Sequence, residues 1–405
     1  MRKYFRGRSV GYVLRFVLAA PLALIIWIGI EIINIFRPVY LISLSYKGRI
    51  SHYLRPMELH LRQANQSERK YLMIFVMPTA TPNQAVRTIY RRYSLIIDSL
   101  FPQLFRRAFG MVSVLLKDRF SPVLLRPQIL WSLDPATTLN KAEVEFGKKL
   151  MKQLGIPDGA EYVCLGVKDA AYYASIVPDA GYGQDLRHQA IDSRNVNIEN
   201  YILAATHLAD LGIYVVRVGS VVSAPLPKDR HPMIIDYANE ARSELGDVVL
   251  GANCKFFICG ATGSFLFAAS NNRPLVYTDH YFENSNKDPI YRFDQLPHSV
   301  LINRMYRDKS GNLLSFKTII DQNKELTVDS KLEQLGIIPI PNSPTEILGA
   351  VSEMNQRIDN NFDHTTAEDS LQHKYYDNFH PPFPWHEYAL MRVADSFLRK
   401  YQDLL

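Results

Sequence analysis

From residue 161 to residue 279 short apolar runs alternate with helical stretches, and this alternation restricts the fold more than any other feature of the chain. "EYVCLGVKD", "IYVVRVG", "CKFFICG" and "RPLVYTD" read as buried strands, each an apolar run closed by a charge or a glycine. Between them "NIENYILAATHLADLG", the stretch around "IIDYANEARSELG" and a segment starting at Thr262 carry helical spacing. Strands separated by helices pair in parallel through crossovers, so an open, wound α/β sheet is predicted. Ahead of it, "YKGRISHYLRPMELHLRQA" reads as a turn and a helix, and "YLMIFVMP" as a strand ending in proline. Residues 82–109 are expected to be helical, and "GMVSVLLKD" and "PQILWSL" to be strands. Helices are expected again over 346–358 and 386–405.

A chain of 405 residues with 47% hydrophobic content suits two domains better than one, and excludes a disordered or fibrous protein. Two Rossmann-like units in series are the economical arrangement, with Pro157, Asp158 and Gly159 as the linker. The predicted organisation is an N-terminal segment 1–40, an acceptor domain 41–156, a second domain 157–345 and a helical extension 346–405. Cys164, Cys254 and Cys259 lie in apolar contexts without metal-ligand spacing or a disulfide framework, so a reducing compartment is expected.

The net charge of +6 is uneven: residues 1–62 hold ten Lys or Arg and two acids, leaving 36 against 38 elsewhere. That region contains "FVLAAPLALIIWIGIEIINIF", preceded by Arg2, Lys3, Arg6, Arg8 and Arg15 and followed by Arg37. It reads as a membrane-associated segment. Spanning needs roughly 20 apolar residues, and Glu31 interrupts this run while Pro21 offers a bend. No small-residue cleavage site follows, and basic residues flank both ends, so a single span and an interfacial helix both remain open. The slightly acidic remainder and the lack of a nucleic-acid module argue against nucleic acid as a partner.

"FFICGATGSFLF" runs from a strand into a small-residue turn and then into a new apolar run. The dinucleotide fingerprint fits poorly, because its third glycine would fall on Leu266 and no tyrosine has a lysine four residues later. The turn can still hold an anion: Gly260 and Gly263 permit close backbone approach, and Thr262 and Ser264 add hydroxyls beside the expected helix start. A diphosphate is the natural guest. Charges recur at neighbouring strand ends, with Lys168 and Asp169 after one strand, Arg217 and Gly219 after the next, Asp236 beyond it, and Arg194 with Asn195 before a helix. In an open α/β sheet these would share the carboxyl edge where ligands bind.

Taken in order, these motifs resemble a family of bacterial glycosyltransferases from cell-surface polysaccharide loci, and more distantly the donor domain of GT-B fucosyltransferases. The matching residues are Arg49, Ile50, His52, Glu58 and Leu59, then Lys168 and Asp169, Arg194 to Tyr201, Arg217 and Gly219, Asp236 and Tyr237, and Cys254 to Gly263. Ser51, Gly166 and Lys168 depart from the family pattern, which has glycine, histidine and arginine there.

The resemblance implies a GT-B-like protein, with two Rossmann-like domains facing a cleft and a membrane-associated N-terminal helix. It further implies transfer from a nucleotide-sugar donor to a glycan or lipid-linked acceptor at the cytoplasmic face of the inner membrane. Lys168, Arg194, Asn195, Arg217, Gly219, Asp236, Gly260, Thr262, Gly263 and Ser264 would then bind donor, with His52, Glu58 and Asp169 as catalytic candidates. For Glu58 a solvated helix face competes with catalysis. No D-x-D sequence occurs, so neither a metal nor a cofactor is expected, the nucleotide sugar being a substrate. The rival expectation is an inactive, membrane-tethered relative that binds a glycan or a synthesis partner.

Overall fold

The computed structural model describes residues 10–44, 49–77, 81–98, 107–108, 110–112, 127–168, 171, 195–260, 262–280, 296, 298–322, 326, 329–362, 365–378 and 391–405. The chain divides into two compact units, Met1–Leu125 with Pro135–Thr138, and Arg126–Asp134 with Leu139–Leu405.

In the first unit β1 (Val39–Ser43), β2 (Leu72–Met77) and β3 (Leu95–Asp98) pair in parallel in that order. Helix α1 (Val10–Phe36) precedes β1, α2 (Ser51–Asn65) connects β1 to β2, and α3 (Gln84–Tyr90) leads towards β3. The helical stretch expected over 82–109 is broken after Tyr90, where the apolar run extends beside β2, and residues 107–108 are helical again. Gly110–Val112 and Pro127–Trp131 are helical where strands were expected. Short apolar runs have no period that separates strand from buried helix. Every residue of α2 from Tyr53 to Gln63 is buried, so its polar side chains must find partners inside the protein.

The second unit opens with α4 (Lys141–Gln153), whose start is fixed by a capping box between Asn140 and Glu143. Pro157–Gly159 lies inside this unit, in the turn from α4 to β4 (Tyr162–Gly166). Six more strands join β4: β5 (Tyr214–Arg217), β6 (Ile234–Ile235), β7 (Phe257–Cys259), β8 (Leu275–His280), β9 (Ser299–Asn303) and, past a separate antiparallel pair β10 (Met305–Arg307) and β11 (Ile338–Ile340), β12 (Met391–Val393). The sheet order is β12-β9-β8-β7-β4-β5-β6, all neighbours parallel. Renumbered within this sheet, that is the 3-2-1-4-5-6 order of a Rossmann fold with one strand added.

Crossover and flanking helices are α5 (Ile202–Asp210), α6 (Glu244–Asn253), α7 (Leu266–Ala269), α8 (Pro344–Ile358), α9 (Thr366–Asp377) and α10 (Asp395–Lys400). The expected C-terminal helix over 386–405 is in its described part a strand, β12, then α10 and a short 3₁₀ turn. The chain is thus mixed α/β with parallel sheets, as the alternation predicts.

Candidate functional site

The order of the second sheet locates its one reversal of winding. From β4 the chain proceeds to β5 and β6 on one flank, and from β7 to β8 and β9 on the other. β4 and β7 are adjacent, with Gly166 paired to Cys259. At such a switch point connections leave in opposite directions and the carboxyl edge between them is open to a ligand. Lys168 follows β4, and Gly260, Thr262, Gly263 and Ser264 follow β7. These two groups of predicted site residues therefore follow neighbouring strands at one edge of the sheet.

Contacts around them are close. A methyl group on Gly166 would sit 2.9 Å from Ser264 Oγ and 2.7 Å from Phe257 Cζ, so only glycine fits beneath the turn. The family's histidine would need Phe257 and Ser264 to move. Val196 N donates to the Lys168 carbonyl at 3.2 Å, which lays the Asn195–Val196 segment over the end of β4. Gly260 has Val196, Tyr201 and Thr278 around it, with room for a methyl group at ordinary contact.

Thr262, Gly263 and Ser264 are half-buried. Thr262 N donates to the Gly260 carbonyl at 2.7 Å, and the Thr262 and Ser264 hydroxyls lie 3.1 Å apart. The helix expected from Thr262 begins only at Leu266 and is four residues long, so its dipole adds little. What the turn offers an anion is hydroxyls and backbone. Asn195 Oδ1 is shielded from solvent and receives no hydrogen bond from the described residues, an acceptor available to a ligand hydroxyl.

Arg217 and Asp236 are placed differently. Both are buried, and Arg217 Nη1 donates to the Ala224 carbonyl at 2.8 Å and approaches Asp236 Oδ1 at 3.4 Å. Asp236 also accepts from Leu226 N and Asn239 Nδ2, each at 2.8 Å. The pair ties the ends of β5 and β6 to the loop between them, and Arg217's charge is compensated inside the fold. Gly219 lies in that loop against Val222. Arg194 and Asp169 lie outside the described residues.

In the first unit Glu58 is fully buried, and the solvated helix face expected as its alternative is overturned. Its Oε1 accepts from Arg62 Nε at 2.6 Å and from Ala136 N at 2.9 Å, and its Oε2 accepts from the Tyr90 hydroxyl. Both oxygens are engaged in holding α2 to α3 and to the Pro135–Thr138 segment. His52, on the first turn of α2, is half-buried, and burial, then Arg49 and Arg55, push its pKa down to about 4. Its ring is neutral at pH 7, able to accept a proton but a weak base.

Sequence reasoning missed a second polar cluster at the same sheet edge. Asp279 adopts φ 49° at the end of β8, accepts from Asn342 N at 2.9 Å and meets Arg304 Nε at 3.3 Å. Its carboxylate is committed to Arg304 and Asn342. Burial raises its pKa against the pull of Arg304. Tyr201 and Thr278 share a 2.6 Å hydrogen bond beside Gly260. Asn342 and Arg304 lie 63 and 25 residues from Asp279, a separation no local pattern reports. Cys164, Cys254 and Cys259 are free and buried. Among the described residues no group of His, Cys, Asp and Glu is arranged to hold a metal ion.

No family model matches the chain and no curated protein matches it. Among solved structures, it is similar to a family 9 glycosyl transferase from Veillonella parvula at 8% identity, covering 66% of this chain and 86% of that one, TM-score 0.38. It is similar to the E. coli ADP-heptose LPS heptosyltransferase II at 15% identity, covering 66% and 90%, TM-score 0.38. A third is the dodecameric iron-containing heptosyltransferase TibC in complex with ADP-D-beta-D-heptose, from E. coli, at 13% identity, covering 80% and 77%, TM-score 0.32. Likeness at this level assigns no activity, which is argued from the chain's own residues.

Proposed function

We propose that this chain is a membrane-associated glycosyltransferase of the metal-independent GT-B type. It moves a sugar from a nucleotide-sugar donor to a glycan or lipid-linked acceptor in bacterial surface polysaccharide synthesis, with its catalytic domains on the cytoplasmic side. The observation that supports the donor site is that Lys168 and the Gly260–Ser264 turn follow the adjacent strands β4 and β7 at the switch point. Asn195 Oδ1 adds an acceptor suited to a ribose or sugar hydroxyl. The ordered motif resemblance supports the reaction class.

In the reaction an acceptor hydroxyl attacks the anomeric carbon, the bond from that carbon to the diphosphate oxygen breaks, and the departing diphosphate gains negative charge. The Lys168 ammonium and the hydroxyls of Thr262 and Ser264 stabilise that charge, the kind of preorganised electrostatic contribution that dominates many enzymes. The acceptor proton goes to a base. Glu58 has both oxygens engaged and His52 is a weak base, so Asp169, the residue after Lys168, is the preferred candidate.

A thermal-shift and calorimetric panel of nucleoside diphosphates and their sugars, on detergent-solubilised full chain, tests the site. Saturable binding of one nucleotide is expected, and no binding by any would remove the donor assignment. The inactive-relative reading has one observation in its favour: the space of the family's histidine is filled by Phe257 and Ser264 around Gly166. Binding without turnover across donors and acceptors is its signature.

A further inference from the structure

The N-terminal segment is long and apolar enough to cross a bilayer, with mean hydropathy 2.1 over Ala19–Phe36. Its packing argues for another placement. Ala19, Ala23 and Ile30 of α1 are buried in one cluster with Val39 and Leu41 of β1, Ile74 and Val76 of β2, and Ala108 and Val112. α1 is therefore a layer on the first unit's parallel sheet over roughly 17 Å, at about 1.5 Å per residue. A sheet with open edges cannot enter hydrocarbon, where unpaired backbone groups have no partner. On either side of this stretch the helix extends over residues 10–18 and 31–36, roughly 13 and 9 Å against a hydrocarbon core of about 30 Å. Neither spans it.

The face of α1 turned away from the sheet is apolar and open. Leu24, Ile25, Ile28, Ile32, Ile35 and Phe36 form a stripe opposite Ala19, Ala23 and Ile30, with Ile25 67% and Phe36 85% exposed. Trp27 Nε1 donates to Glu31 Oε1 at 3.1 Å, which gives the one acid of the segment a partner at the depth where tryptophan is favoured. Arg37 donates from Nε and Nη2 to the carbonyls of Lys70 and Tyr71, pinning the end of the helix to the start of β2. Arg2, Lys3, Arg6, Arg8 and Arg15 precede the stripe, a charge suited to anionic headgroups.

We propose that α1 lies in the plane of an anionic bilayer surface, its outer stripe in one leaflet and its inner stripe on the first unit's sheet. The chain is then monotopic rather than spanning, with the segment before α1 and the body of the first unit on the same side. This rests on the membrane-association part of the proposed function and is independent of glycosyl transfer.

The test uses purified full chain and phosphatidylethanolamine vesicles with or without phosphatidylglycerol. Flotation with the phosphatidylglycerol vesicles is expected, and Ile28→Glu and Ile32→Glu, both at exposed positions, should each lower the floated fraction about tenfold with the melting midpoint unchanged. Sidedness is read with Arg8→Cys and Glu68→Cys and an impermeant maleimide on sealed vesicles, the three native cysteines being buried. Both reporters should label together or be protected together. Reporters on opposite sides would overturn the in-plane placement and leave membrane association standing. Failure to float on either vesicle, or self-association of the full chain in place of flotation, would overturn both.

Discussion

Arg217 and Lys168 stand one strand apart on the same edge of the second unit's sheet, both buried, and the surrounding fold treats them differently. Arg217 ends β5, and the next strand in the same winding direction brings Asp236 to it, while the intervening loop closes over the pair through Ala224 and Leu226. Lys168 follows β4, where the winding reverses. Across the reversal stands the Gly260–Ser264 turn, which carries hydroxyls. On the proposed function, a cation at a strand end is a structural tie on the flank of a doubly wound sheet and a ligand group at its switch point. Only the strand order separates the two.

The largest effect that would break this comparison concerns the tie. Asp236→Ala leaves Arg217 buried without its counter-charge, and one-sided removal of such a partner costs about 3–5 kcal/mol. Urea unfolding should show that loss, with nucleotide affinity of the remaining folded protein unchanged. If affinity falls in step with stability, or falls alone, Asp236 and Arg217 belong to the site and the two places are not different.

Lys168→Ala is the mirror experiment. A charge-assisted contact to a diphosphate is worth about 1.5–3 kcal/mol, so the nucleotide Kd should rise roughly 10- to 100-fold. The unfolding free energy should move by less than the Asp236 variant's. A Lys168→Ala protein that binds nucleotide as tightly as the parent would refute the assignment of the switch point.

A third place on that edge responds to pH instead of ligand. His280 ends β8 and is buried, and burial pushes its pKa from 6.5 down to about 4. The folded value lies below the unfolded one, so the stability held by the neutral ring is complete above 6.5 and is lost as pH falls from there towards 4. The slope from one such histidine is about 1.4 kcal/mol per pH unit. His52 and His60, lowered to about 4 and about 3, act in the same sense, and Asp247, raised to about 6 by burial, acts oppositely. Denaturation midpoints between pH 4 and 7 should therefore drop less steeply in His280→Asn than in the parent; equal slopes would show that the ring is not neutral in the fold.

The wound sheet was legible because buried parallel strands are continuous apolar runs, and β4, β5, β7 and β8 all stand where those runs lie. β6, β9 and β12 were not recognised, and β6 and β12 join the sheet from segments expected to be helical. The turn after β7 and the strand-end charges were legible as candidates, because glycines and charges at strand ends announce themselves locally. Their sorting was not: Arg217 meets Asp236, Glu58 meets Tyr90 and Ala136, and Asp279 meets Asn342 across 19 to 78 residues of chain. Such partners are chosen by tertiary packing, which overrides what a residue's own neighbours suggest.

The smallest expected effect probes the hydroxyls of the turn itself. Thr262 and Ser264 lie 3.1 Å apart, and Ser264 N approaches Thr262 Oγ1 at 3.4 Å, a weak contact that a phosphoryl oxygen would outcompete. Each hydroxyl donated to a diphosphate should contribute about 0.5–1.5 kcal/mol, so Thr262→Val and Ser264→Ala should each raise the nucleotide Kd roughly two- to tenfold. If the hydroxyls act on one anion, the double variant should lose less than the product of the two single losses, since residues sharing a partner do not add independently. Titration of the two single variants and the double decides it. A product of independent effects would place the hydroxyls on different ligand groups, and no effect in any of the three would return the turn to a structural bend and remove the proposed distinction between Lys168 and Arg217.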